Sequence, residues 1–290
     1  MGVKDEISAV IVNYNSGRII EKCFDGISEV ENTIIVDNAS WDGSVAKIRD
    51  KYPDFMIVRN SKNEGYGRAV NRALTSVNTP FVLTVSPDTT IDPKVLHDLY
   101  SVIKEDSTTA CVAPGLLTKG QGIEFWVMGP GELSCSKATF EIGGNFCTWF
   151  ASAAVALYRT DALKKVGGFD ENIFAYTEDC DLSYRLTKIG YNLIIMPNIT
   201  AHHINSGSTQ RSVKQHWRKD WNFAWSTLYL LKKHKGSKRA RNEGMSLLLK
   251  RAPKALFYLF TLNVKRFTRD GATFMGTLNF LLGNKPTPRD

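Results

Sequence analysis

ISAVIVNYNSGRIIEKCFDGISEVENTIIVDNAS, residues 7–40, holds two short apolar runs on either side of one helix-like stretch. The first run, ISAVIV at 7–12, is apolar without alternation and rich in β-branched residues, as a strand covered on both faces must be. Residues 18–27 read as a helix and 33–36 as a second strand. Each strand ends abruptly in polar residues: Asn13, Tyr14 and Asn15 after the first, and Asp37, Asn38, Ala39 and Ser40 after the second.

Outward from this unit the alternation continues. Residues 44–51 read as a helix, 55–59 as a strand, 66–77 as a helix and 81–85 as a fourth strand. Asp92-Pro93 opens another helix, because Asp caps an N-terminus and Pro suits the first helical position. This order predicts an α/β protein with a parallel, doubly wound sheet. Between 110 and 150 the pattern weakens, and Gly129, Gly131, Gly143 and Gly144 suggest hairpins or loops. Residues 150–158 are strand-like, and a short helix at 160–166 stops at Gly167-Gly168. A further helix starts near Glu178 with Leu182, Leu186 and Ile189 on one face. Residues 192–196 form a strand closed by Pro197, and from about 214 the chain reads as helical.

The 290 residues, 43% of them hydrophobic, are enough for a large core with an appendage. The five cysteines, Cys23, Cys111, Cys135, Cys147 and Cys180, form no Cys-x-x-Cys pair. They read as buried reduced thiols, not as a disulfide framework or a zinc site. The polar N-terminus shows no signal-peptide pattern. The longest apolar run, 255–263, is too short to span a membrane. The expected location is the cytoplasm, with a peripheral seat on the inner face of the cell membrane left open. Residues 211–270 carry 16 Lys or Arg against three acids, while the whole chain is only +8, so the basic excess lies in the C-terminal part. No groove-reading motif accompanies it, which argues against nucleic acid.

In an open parallel sheet, ligands bind beyond the carboxyl ends of the strands. Asn60, Asn63, Gly65 and Gly67 follow the third strand; Ser86, Pro87 and Asp88 follow the fourth. A dinucleotide fingerprint would need glycines after the first strand, where this chain has NYNSG, and there is no P-loop. A nucleotide here needs side-chain contacts and an acid-held metal instead.

VIVNYNS, IIVDNASWDGS, NEGYGRAVNRAL and VSPDTTI, in this order, resemble the nucleotide-sugar half of family 2 glycosyltransferases with the GT-A fold. GGFDENIFAYTEDCDLSYRLTKIGY and PNITAHHINSGST resemble the rhamnosyltransferase-like branch of that family. The resemblance implies a catalytic domain over 1–210, with a nucleotide-sugar half (1–115) and an acceptor and catalytic half (116–210). A basic, aromatic helical extension would occupy 211–290.

It also implies roles. Tyr14 would stack on a pyrimidine base and Asp37 would accept its ring N–H; Asn13, Asn15, Asn63, Gly65 and Ser86 would complete the nucleotide site. Without the resemblance, Tyr14 is a packed ring and Asp37 an Asx turn. Asp88 matches the last acid of the family's Asp-x-Asp motif and would hold Mg2+ or Mn2+ on the diphosphate, with Ser86 in the place of the first acid. His203, or its neighbour His202, would be a further metal or phosphate ligand, and the Ser-Gly-Ser stretch would offer backbone N–H groups to phosphate. Asp179 matches the catalytic base of an inverting transfer, kept ionised by its place at a helix start. Glu178 would orient the acceptor, and Asp181 is the second choice of base. Ser152 stands where the family often has glycine.

In the tail, Trp217, Trp221, Trp225 and Leu228 fall on one stripe. Two readings stand: a patch on anionic lipid, or a stripe packed on the sheet or on a second subunit of a homodimer. The function implied is transfer of a sugar, rhamnose from dTDP-rhamnose first and a UDP-sugar next, to a saccharide acceptor, lipid-linked, in cell-surface polysaccharide assembly. The rivals are a nucleotidyltransferase and a non-catalytic saccharide-binding homologue.

Overall fold

The structure is a computed structural model and describes residues 2–118, 122–124, 126–134, 136–137, 143–203 and 212–286. A helical turn, α1 (Val3–Glu6), leads into β1 (Ile7–Asn13), α2 (Ile20–Asp25), β2 (Asn32–Asp37), α3 (Ser44–Lys51), β3 (Met56–Arg59), α4 (Tyr66–Leu74) and β4 (Phe81–Val85). β4, β1, β2 and β3 lie side by side and parallel, as the alternating pattern requires. Both faces of β1 are buried, which is why its apolar run does not alternate. Ile7, Ala9 and Ile11 face the core layer under α2, and Val10 faces the layer under α4.

The second half extends the same sheet. A short β5 (Thr89–Thr90) and α5 (Pro93–Glu105) precede a long β6 (Thr109–Thr118). Asp92 caps α5 as expected, its side chain accepting from the Lys94 N–H at 2.8 Å. Small pairs β7 (Gly122–Glu124), β8 (Trp126–Val127) and β9 (Ser136–Lys137) follow, then β10 (Phe146–Thr148), β11 (Val155–Arg159), α6 (Thr160–Lys165), α7 (Glu178–Lys188) and β12 (Asn192–His203). The order across the sheet is β10-β12-β6-β11-β4-β1-β2-β3, with β11 antiparallel between β4 and β6.

Three expectations change. The weak stretch after 110 contains a ten-residue strand, β6, because Pro114 and Gly115 interrupt its sequence pattern without ending its pairing. The strand starting at Asn192 does not close at Pro197: the register with β6 shifts between Met196 and Thr200, and the strand runs on to His203. A bulge absorbs a proline that a regular ladder could not. Cys23, Cys111 and Cys180 are buried, but Cys147 is exposed, and Cys135 lies outside the described residues.

The tail forms three helices, α8 (Val213–Lys235), α9 (Ser237–Phe260) and α10 (Val264–Leu281). Trp221 and Trp225 of the stripe are buried with Ala272 of α10, and Trp217 and Phe280 pack around them. A Cβ at Gly276 would sit 2.3 Å from the Trp221 carbonyl, so glycine is needed for this approach. The tryptophans of the stripe therefore pack on α10. Among the described residues, no helix is long and apolar enough to cross a membrane.

Candidate active site

The ends of β1 and β2 are locked together beneath the cleft. Asn13 is fully buried, and its side-chain amide donates to Asp37 Oδ1 at 2.8 Å and to Ser44 Oγ at 2.8 Å, while its oxygen accepts from Ser16. Asp37 Oδ2 accepts from the Ser40 N–H at 3.1 Å and pairs with Arg59 at 3.3 Å. Both Asp37 oxygens are taken and the residue is fully buried, so here it holds the loops and does not open onto the cleft. The Asn15 side chain accepts from the Trp41 N–H at 2.9 Å, which ties the two loops at the surface.

Above this floor lies a cavity of about 640 Å3. Tyr14, Asn15 and Asn63 line it, as expected of a nucleotide site. So do Trp41, Tyr176 and, from α8, Lys214 and Arg218. Sequence reading did not single out these four. Trp41 is 82% exposed after β2, a costly place for so large an apolar ring, and that is the signal that could have found it.

Gly65 has φ +87°, and a Cβ there would meet the Phe174 carbonyl at 2.2 Å. Its N–H donates to Asn63 Oδ1 at 3.0 Å. Gly65 thus serves the site by letting the segment after β3 touch the segment before α7. Gly65→Ala should cost roughly 2–4 kcal/mol, since both the backbone angle and the space exclude it. A thermal melt reads this, and an unchanged midpoint would refute it.

Four of the five non-glycine residues with positive φ among the described residues lie here: Asn15, Ala39, Tyr176 and Thr177. Strained backbone held in place by its surroundings concentrates at functional sites.

Beyond β4, the Ser86 N–H donates to the Ala154 carbonyl at 2.8 Å, and the chain turns at Asp88 into β5. β5 pairs with the end of β12, His203 opposite Thr89 and His202 opposite Thr90. Successive strand residues face opposite sides. His203 Nε2 therefore lies 3.3 Å from Asp88 Oδ1, while His202 is exposed. Of the two histidines, His203 is the one beside Asp88. The Ser-Gly-Ser stretch beyond it lies outside the described residues.

Asp88 and His203 are only partly buried and offer one oxygen and one nitrogen donor. Among the described residues, no third His, Cys, Asp or Glu joins them. Two donors on one side fit an ion whose other positions go to phosphate oxygens and water; they do not fit a closed structural metal.

The acids at the start of α7 differ sharply. Asp181 is fully buried and accepts from His234 at 2.7 Å, Arg185 at 2.7 Å and Lys233 at 2.8 Å. Burial pushes its pKa up, but the His234 hydrogen bond and the Arg185 and Lys233 charges outweigh this and hold it at about 2. Asp181 is thus no base; it clamps α8 onto α7. Lys233 also reaches Asp170 at 2.6 Å. A carboxylate depressed in the fold contributes stability above its unfolded pKa and loses it as pH falls through the folded one. Between pH 4 and pH 2 this site should lose about 2 kcal/mol of stability, and Asp181→Asn should flatten that part of an acid-denaturation curve.

Glu178 and Asp179 carry no such partners. Burial raises both, Glu178 further because the Asp179 charge lies beside it, to about 8 and about 6. The helix start was expected to keep Asp179 fully acidic. Its hydrogen bonds from Cys180 and Ala153 do act in that direction, but burial wins. Asp179 remains mostly ionised at neutral pH. Glu178 Oε2 is buried without a hydrogen-bond partner, as is Thr177 Oγ1. Residues 153 and 154 join the two chemical centres: the Ala153 backbone bonds Asp179, and the Ala154 carbonyl holds Ser86. The Ser152 hydroxyl turns back to accept from the Ala154 N–H at 3.3 Å.

Comparison with known proteins shows what the chain is similar to. A rhamnosyltransferase of Mycobacterium tuberculosis, named N-acetylglucosaminyl-diphospho-decaprenol L-rhamnosyltransferase, is 25% identical over 247 residues, 73% of this chain and 80% of that protein. A low-salt glycan biosynthesis hexosyltransferase of Haloferax volcanii is 24% identical over 65% of this chain and 64% of its own length. The fold is shared with a mannosyltransferase of Pyrobaculum calidifontis solved with GDP-mannose and Mn2+, at TM-score 0.60 and 14% identity over 97% of this chain and 88% of that one. It is shared too with GalNAc-T7, solved with UDP, GalNAc and Mn2+, at TM-score 0.59 and 14% identity; the match covers 77% of this chain and about half (51%) of that one. The family model described as glycosyl transferase family 2 matches residues 8–167, more than half of the chain. On this match, the protein belongs to glycosyl transferase family 2 and is a nucleotide-sugar glycosyltransferase.

Proposed function

We propose that the chain is an inverting transferase that moves a sugar, rhamnose from dTDP-rhamnose in the first instance, onto a lipid-linked saccharide in cell-surface polysaccharide assembly. The observation that carries the chemistry is the joining of two centres through residues 153–154: the Asp88–His203 pair and the Asp179–Glu178 pair. The relative that acts on N-acetylglucosaminyl-diphospho-decaprenol supports the choice of sugar and acceptor.

In this reading the base stacks on Tyr14 between Asn15 and Asn63, with the Asn13–Asp37 network fixing the shelf beneath. Lys214 and Arg218 supply positive charge across the cleft. Asp88 and His203 would hold Mn2+ or Mg2+, which when bound neutralises the diphosphate as it leaves. The nitrogen donor favours Mn2+ of the two. Asp179 takes the proton from the acceptor hydroxyl, whose oxygen attacks the anomeric carbon from the face opposite the diphosphate. One glycosidic bond forms as the bond to the diphosphate breaks, so the configuration inverts. Glu178, protonated near neutral pH, is able to donate a hydrogen bond to the acceptor.

The test is release of nucleoside diphosphate from dTDP- and UDP-sugars with a panel of lipid-linked acceptors, with and without Mn2+. Release from dTDP-rhamnose above the UDP-sugars supports the reading. Preference for a UDP-sugar moves the donor within the family. No release from any pair favours a saccharide-binding homologue.

A further inference from the structure

We propose that the turn between α9 and α10 is a membrane-insertion tip that seats the protein on an anionic lipid leaflet, with the mouth of the cleft facing that surface. Leu256, Phe257, Leu259, Phe260, Leu262 and Val264 all stand exposed around this turn, Phe260 and Leu262 at 82%. Scattered exposed apolar residues are ordinary; six within nine positions make a patch. Lys250, Lys254, Lys265 and Arg266 flank it, all exposed, and the sequence has no Asp or Glu from 244 to 269. An apolar tip inside a collar of unopposed cations is the pattern of a helical element that buries its end in acyl chains while its charges meet lipid phosphates.

Leu262 gives an independent sign. It is the fifth positive-φ residue, at +53°, in the turn that ends α9. Glycine or asparagine would hold that backbone at less cost, and Leu262 gains no packing in return. A strained and exposed leucine makes sense if the side chain works outside the fold.

The geometry links the tip to the cleft. α8 has 23 residues and α9 has 24, so each is about 35 Å long. Gly244 meets Leu281 and Arg251 pairs with Asp270, so α9 runs back along α10, while Gly271 meets Trp217 and Gly276 meets Trp221, so α10 runs beside α8 in the same direction; the end of α9 therefore lies near the start of α8. There Trp217 packs on Phe267 of α10, at 6.1 Å between ring centres, while Lys214, Trp217 and Arg218 line the cavity beside Tyr14. A lipid-linked saccharide would then reach the cleft without leaving its membrane. A second copy of the chain fits the tip less well, because a two-fold contact would press two cationic collars together.

The test is flotation of the intact protein with vesicles of phosphatidylglycerol and phosphatidylcholine, against phosphatidylcholine alone. The protein should float with the anionic vesicles and lose most of that binding in high salt. Replacing Phe257, Phe260 and Leu262 together by Ser should lower vesicle affinity at least 100-fold, with an unchanged circular-dichroism spectrum. Leu262→Gly separates the roles: it should raise the melting temperature while weakening flotation. Flotation that survives the triple replacement, or no flotation at all, overturns the proposal. So does a triple variant that floats normally but loses self-association. Neither donor nor acceptor enters the assay, so its failure leaves the transferase reading standing.

Discussion

Asp179→Asn should lower kcat for sugar transfer by roughly 10^3-fold and leave donor affinity close to that of the wild type. The amide keeps the shape of the side chain and its acceptor oxygen toward Cys180, but it takes up no proton. Binding should survive because Asp179 is not among the residues that line the cavity with Tyr14, Asn15 and Asn63. Steady-state transfer and a donor-induced thermal shift read the two halves separately. Unchanged turnover would remove Asp179 as the base, and Asp181 could not replace it, because the His234 hydrogen bond and the Arg185 and Lys233 charges hold it ionised where it is buried. The wild-type profile adds a second reading. Burial lifts Asp179 to about 6, so activity should rise with pH through about 6, where an ordinary carboxylate would give a limb near 4.

Asp88→Asn should lower Mn2+-dependent kcat/KM by about 10^2- to 10^3-fold, since one carboxylate supplies most of the charge that would hold the ion and the leaving diphosphate. His203→Asn should have a smaller effect in the same direction. The double variant should be little worse than Asp88→Asn, because residues that serve one ion are not additive. His202→Ala should be silent, since that ring points away from Asp88. Titration of Mn2+ into turnover assays of the four variants checks this. Full additivity, or equal loss at His202, would refute the shared site.

Much of this was legible in the residues. The two-sided burial of β1 shows as unbroken apolar sequence, and the alternation of strand and helix fixes the parallel half of the sheet. The polar residues that follow each strand mark the cleft, because ligands meet an open sheet at its carboxyl edge. Asp92-Pro93 announces its helix by local hydrogen bonding alone. These signals are local or periodic, so one chain carries them without partners.

Other features depend on which strangers meet. Pro197 looks like the end of a strand; pairing with β6 carries the chain past it, and only that detour brings His203 to Asp88. Asp179 and Asp181 sit two residues apart in one helical turn, both rich in local reasons to be ionised. Their fates divide because α8, about 50 residues later, delivers Lys233 and His234 to Asp181 and not to Asp179. The Trp stripe is plain in the sequence, but its cover is α10, chosen by glycines that let two helices close. The sequence by itself determined the strands of the parallel half, the cleft edge and the chemical types present at it. Tertiary structure decided which acids are buried away from cations, which histidine faces Asp88 and which apolar surface stays open. Burial and charge pairing are properties of the assembled neighbourhood, and no single segment encodes them.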